Sequence, residues 1–144
     1  MAIIPREVWR FCVDQVKLYP LNELAYNDQL KEIKAEYLES GMSGPPDQSG
    51  VIVHSGKAPM ESKYEAQERA LRSPQMRYLT KCVTVMGLVK RVGDDNVSVV
   101  LEAIWDVGWR DNALIALAAK TSPATVKRAK HEIVRSIAAG WGLW

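Results

Sequence analysis

Ile115-Ala116-Leu117-Ala118-Ala119-Lys120-Thr121-Ser122-Pro123-Ala124-Thr125-Val126-Lys127-Arg128-Ala129-Lys130 is the stretch whose reading decides the fold. A helix rich in small residues meets a tight turn, and the turn meets a basic helix opened by a Ser-Pro cap. This is the layout of a helix-turn-helix, in which the second helix enters a DNA major groove. The first helix needs small residues where the second crosses it, and Ala116 and Ala119 supply them. The turn needs a residue that accepts positive φ. Lys120 stands there instead of glycine, at about 1 kcal/mol of backbone strain. Thr121 occupies a position where an aliphatic residue is commoner. Ser122 caps the second helix and Pro123 presets its first turn.

From Ser122 onward, Val126, Ala129, Ile133 and Ile137 form an apolar stripe at helical spacing. The opposite face is expected to carry Ala124, Thr125, Lys127, Arg128, Lys130 and His131, with Arg135 farther along beside a DNA backbone. Arg and Lys reach guanine edges or phosphates, and threonine bonds a base or touches a thymine methyl. The N–H groups near Ala124 suit a phosphate. The bland alternative is a helical hairpin whose basic face is merely solvated. For His131 the plain reading is a surface residue.

Working outward, Tyr78, Leu79, Cys82, Val83, Val85, Met86 and Val89 mark an apolar helix opened by Ser73-Pro74, with Arg77, Lys81, Lys90 and Arg91 outside. Residues 92–96 read as a turn. Val97, Val100, Leu101, Ile104 and Trp105 repeat at helical spacing, although the run Val97-Ser98-Val99-Val100 also suits a strand. Gly108 to Asp111 closes that element. Glu61 to Leu71 is helical. Its Glu61, Glu65 and Glu68 share a face that reads as solvated and paired with Arg69 and Arg72, rather than as a metal site. Between Ser40 and Pro59, 11 of 20 residues are Ser, Gly or Pro, the composition of a flexible linker. Before it, Pro5 opens a helix carrying Val8, Trp9, Cys12, Val13 and Val16 on one face. Tyr19-Pro20 interrupts the pattern. Asn22 is placed to cap a second helix with Leu30, Ile33, Tyr37 and Leu38 on its apolar side.

The expected organisation is all-α: an N-terminal helical pair at 1–39 available for oligomerisation, a linker at 40–60, and a four-helix unit at 61–144 that contains the helix-turn-helix. Charge follows the same division. Residues 1–56 hold five basic and eight acidic residues, and residues 57–144 hold fourteen and nine. The positive excess sits with the suspected DNA element. No apolar run approaches the ~18 residues of a membrane span, and Met1 to Arg10 lacks the pattern of a secretion signal, so a cytoplasmic protein with no membrane partner is expected. Cys12 and Cys82 read as buried thiols. Two histidines and two cysteines make no zinc spacing, and no Gly-Lys phosphate loop occurs. No cofactor, metal or enzymatic activity is therefore expected. Among the five tryptophans, Trp105 and Trp109 fit core packing on one face. Trp141 and Trp144 either dock on the body or form a partner patch.

The residues around the Ser-Pro turn resemble the C-terminal region four of bacterial sigma factors, a four-helix unit ending in a helix-turn-helix. The chain as a whole resembles phage transcriptional activators of the RinA/ArpU type. The matching stretches are Tyr19-Pro20 before an acidic helix, Ser55-Gly56 to Pro59-Met60-Glu61 leading into Tyr64-Glu65-Ala66-Gln67-Glu68-Arg69-Ala70-Leu71, Ile104-Trp105, Ser122 to Ala129, and Ile137-Ala138-Ala139-Gly140-Trp141-Gly142-Leu143. The resemblance implies a phage or prophage regulator that binds double-stranded promoter DNA in the bacterial host and activates late genes. It places recognition at Thr125, Lys127, Arg128 and Lys130. A homo-oligomer is expected, because one such helix spans few base pairs. Two alternatives stand beside it. One is an adaptor in which the sigma-like unit contacts RNA polymerase. The other is a small terminase subunit that recognises phage DNA for packaging, although those place the motif nearer the N-terminus.

Overall fold

The computed structural model describes residues 3–39 and 59–144, with side chains from 3 to 36 and from 64 onward. Within them there are six α-helices and no strand. They are α1 (Arg6–Ile33), α2 (Pro59–Leu71), α3 (Pro74–Val92), α4 (Asp95–Val107), α5 (Asn112–Ala119) and α6 (Pro123–Gly140), and a π-helical segment, Lys34–Glu39, follows α1. The all-α expectation holds. No helix among the described residues is long and apolar enough to cross a membrane.

Two details of the expected architecture change. The helical pair at the N-terminus is a single helix, since α1 runs through Pro20. Proline has no N–H, so the carbonyl four residues earlier loses its helical partner. That carbonyl belongs to Val16, which is fully buried, and the indole Nε1 of Trp105 donates to it at 2.9 Å. Tyr19 stacks on the same indole at a centroid distance of 5.1 Å, and its hydroxyl donates to Glu23 at 2.8 Å. A side chain 89 positions away thus satisfies the group that proline leaves bare. Asn22, expected as a cap, lies inside α1.

The second change concerns the boundaries. The described residues of Met1–Glu23 and Lys81–Trp144 form one compact unit, and those of Leu24–Thr80 form another. The first half of α1 is therefore not a separate arm. Cys12, Val16 and Tyr19 are buried in one core with Val85, Met86 and Val89 of α3 and the stripes of α4 and α6. Each such side chain contributes about 1.5–3 kcal/mol by leaving water. The expected linker lies outside the described residues, apart from Pro59 and Met60, which open α2.

In the first unit, α4 has Val97, Val100, Leu101, Ala103 and Ile104 buried. The β-branched run from Val97 is helical because Asp94 caps it, accepting from the Val97 N–H at 3.0 Å, and because its burial follows the helical period. Gly108, at φ 95°, ends α4 in a conformation that costs other residues strain. Both cysteines are buried. In the second unit, Ile33, Met76 and Leu79 are buried with Leu30, Ala70 and Leu71 against them. Ser73 caps α3 as expected, accepting from the Met76 N–H at 3.2 Å. On the acidic face of α2, Glu68 meets Arg72 at 3.7 Å, an exposed pair worth at most about 0.5 kcal/mol.

Candidate nucleic-acid interface

The site is built from α5, a three-residue turn and α6. Asp111 starts α5 by accepting from the Leu114 N–H at 3.1 Å. Ile115 and Ala116 face inward. Lys120 then takes the left-handed conformation, φ 55° and ψ 48°, as its position demanded. The N–H of Thr121 reaches back to the Ala116 carbonyl at 3.0 Å and that of Lys120 to Leu117 at 3.4 Å, which closes a Schellman turn without glycine. Ser122 is extended, and its hydroxyl accepts from the Thr125 N–H at 3.2 Å. Pro123 is the first helical residue.

Val126, Ala129, Ile133 and Ile137 are buried, together with Val134 and Ala138. Ser122, Ala124, Lys127, Arg128, His131 and Arg135 are exposed, and Thr125 is half-buried. Thr125 Oγ1 lies 2.9 Å from Ser122 Oγ, and Arg128 Nη2 lies 3.5 Å from the same threonine oxygen. The outer face of α6 lines a shallow depression through Ala124, Lys127, Arg128, His131, Glu132 and Arg135. Glu132 is the acidic member that sequence reasoning overlooked. Its spacing of four from Arg128 puts it on the same face and was the available signal. None of Lys127, Arg128 and Arg135 is held in a salt bridge among the described residues. His131 is exposed, but its ring meets Trp9 of α1 edge-on, with centroids 5.0 Å apart.

Lys130 departs from the expected outward face. It is only 9% exposed, and its ammonium donates to the Arg110 carbonyl at 2.7 Å. The same group lies 4.9 Å from the centre of the Trp109 ring. Burial holds its pKa below the ordinary lysine value, and the charge of Asp111 acts in the opposite direction. The reason is positional. Lys130 is four residues after Val126 and three before Ile133, in register with the buried stripe and not with Lys127 and His131.

The tryptophans divide as well. Trp109 lies beyond the end of α4, so it does not share a helical face with Trp105. Trp141 docks edge-on against Phe11 at 5.3 Å, with the Lys81 ammonium 5.1 Å from its ring. Trp144 remains 45% exposed.

Comparison of the chain with models of protein families, with curated proteins and with solved structures finds no match. The geometry defines an α-helical body that presents a capped, cationic helix after a tight left-handed turn.

Proposed function

We propose that the chain is a sequence-specific double-stranded-DNA-binding regulator, in which α6 reads the major groove. One observation carries this reading. α6 buries its apolar stripe completely and turns Lys127, Arg128, His131 and Arg135 outward, with the three permanent cations free of salt bridges among the described residues. Lys127 and Arg135 suit phosphate contacts, and Arg128 suits the paired acceptors of guanine. Thr125, tied to Ser122 and Arg128, steadies that guanidinium. The resemblance of short stretches of the sequence to RinA/ArpU-type activators supports a phage or prophage regulator of late genes. A homo-oligomer extends the short footprint of one helix.

The test is a gel-shift titration with duplexes that the wild-type protein selects from a randomised library, repeated across salt concentrations. Affinity is expected to fall with salt by about 0.9 log units per decade for each phosphate neutralised. Replacing both Lys127 and Arg128 by Ala is expected to weaken binding at least about tenfold, the loss of one good base contact and one phosphate contact. Unchanged binding by a folded double variant overturns the reading.

A second reading, an adaptor that contacts RNA polymerase, is favoured by a different surface. α5 carries no charged side chain, yet Leu114 and Leu117 are 51% and 77% exposed. Exposed apolar groups on an uncharged helix suit a protein partner.

A further inference from the structure

α5 is eight residues long and its C-terminal end is joined to α6 by the Lys120-Thr121-Ser122 turn. Ile115 and Ala116 also hold it in the core that α6 shares. The chain supplies a second tie at the other end. Lys130 reaches from the middle of α6 to the carbonyl of Arg110, just before α5 begins. The two attachment points on α6, Ser122 and Lys130, are separated by roughly 12 Å of helix at 1.5 Å per residue. α5, α6 and the lysine side chain close a triangle, which adds a directional polar constraint on the angle between the helices to their apolar packing.

We infer that Lys130 is a positioning residue that sets the angle at which α6 projects from the body, and so governs discrimination between DNA sequences without touching DNA. The inference rests on the reading of α6 as the DNA-reading helix. The chemistry of the tie is unusual for a lysine. Its ammonium has a backbone carbonyl at 2.7 Å and an indole face at 4.9 Å, and it lies 9% exposed on the stripe side of α6. A lysine selected for phosphate would project a solvated charge, as the exposed Lys127 does. The charge of Asp111, the residue that caps α5, favours the charged form of the ammonium against the larger effect of burial. Apolar packing alone does not require the charge, since methionine fills the same length.

A positioning role and a phosphate contact leave different signatures. Phosphate contacts add affinity for every sequence and add to the salt slope. The angle of the reading helix affects only the base contacts, which carry the preference for one sequence over another. The experiment compares the wild-type full chain with K130M and K127M. Each is titrated against the duplex selected by the wild type and against poly(dI-dC), at several salt concentrations and well below the melting temperature of each variant. For K130M, affinity for the selected duplex is expected to fall about tenfold or more, with poly(dI-dC) binding and the salt slope unchanged. For K127M, affinity for both DNAs is expected to fall and the slope to drop by about one.

A folded K130M that binds the selected duplex as tightly as wild type overturns the inference, because the lysine then serves stability alone. A K130M slope reduced by about one also overturns it, because Lys130 then meets phosphate. If K130M does not fold, K130R keeps a donor and a cation over the indole. It is expected to retain wild-type discrimination, and its loss in a folded K130R overturns the inference. Failure of the wild type to bind any duplex is a separate result and removes the DNA reading itself.

Discussion

Replacing Trp105 with phenylalanine removes the indole N–H that donates to the Val16 carbonyl. In an ordinary helix the N–H four residues on would take over, but that residue is Pro20. Leaving a buried carbonyl without a partner costs about 1–3 kcal/mol. Trimming the indole to a phenyl ring, in contact with Tyr19 and the Lys90 ammonium, adds roughly 1 kcal/mol of lost packing. W105F is therefore expected to lower stability by about 3 kcal/mol. In a P20A background the outcome changes. The substituted alanine brings its own N–H to the Val16 carbonyl, so W105F there loses only the packing share of about 1 kcal/mol. The coupling between the two substitutions is expected to be about 2 kcal/mol, the share of the bare carbonyl. Urea unfolding of the four proteins, followed by far-UV circular dichroism near neutral pH, measures it. Because the chain has two units, tryptophan fluorescence is recorded in parallel to check that both probes report one transition. A coupling within about 0.5 kcal/mol of zero refutes the reasoning, since independent sites add to that precision.

Lys120→Gly relieves a left-handed lysine at φ 55°, and part of the gain is offset by the greater freedom of glycine in the unfolded chain. Stability is expected to rise by about 0.5–1 kcal/mol, and a decrease in the melting temperature would show that the lysine side chain contributes more than its backbone strain costs. Alkaline pH should destabilise the fold in a defined window. Burial pushes the Cys12 thiol from 9.0 up to about 11, and burial with the Glu23 hydrogen bond and charge pushes Tyr19 from 10.0 up to about 12. Below pH 9 both groups are protonated in both states, and their contribution is complete. Above it the unfolded chain sheds protons that the folded chain retains, so stability falls as pH rises through the folded values. C12A should flatten the lower part of that decline, between pH 9 and about 11, in denaturant titrations at stepped pH. A slope identical to wild type there would remove Cys12 as its source.

The turn and both of its caps were legible in the sequence because they depend on local chemistry. Lys120 sits where the chain must reverse, and Ser122 stands immediately before Pro123. The stripe from Val126 to Ile137 was legible for the same reason, since periodicity alone fixes it. What escaped depends on partners distant in sequence. A proline ends a helix unless something satisfies the bare carbonyl, and nothing near Pro20 announces Trp105. Val8, Trp9, Cys12, Val13 and Val16 look like one face of a free-standing amphipathic helix, and only the fold reveals that their counterpart is the core of α3, α4 and α6. Lys130 was misplaced by type: a cation was assigned to the outer face although its register with Val126 and Ile133 put it on the inner one. The side-chain type suggested solvent, while the helical period and the Arg110 carbonyl prevailed.

The shared core of the first half of α1 with residues beyond 81 has a kinetic consequence. The Val16–Trp105 bond closes a loop of 89 positions, and the Trp9–His131 contact closes a longer one. Loops of this length close late, because chain entropy must be surrendered before any contact repays it. During synthesis α1 emerges before α3, α4 and α6 and waits, its apolar flank unmatched, until those helices have left the ribosome. A nascent chain arrested before α6 would therefore carry α1 with its apolar flank exposed, a segment that a chaperone for such helices recognises.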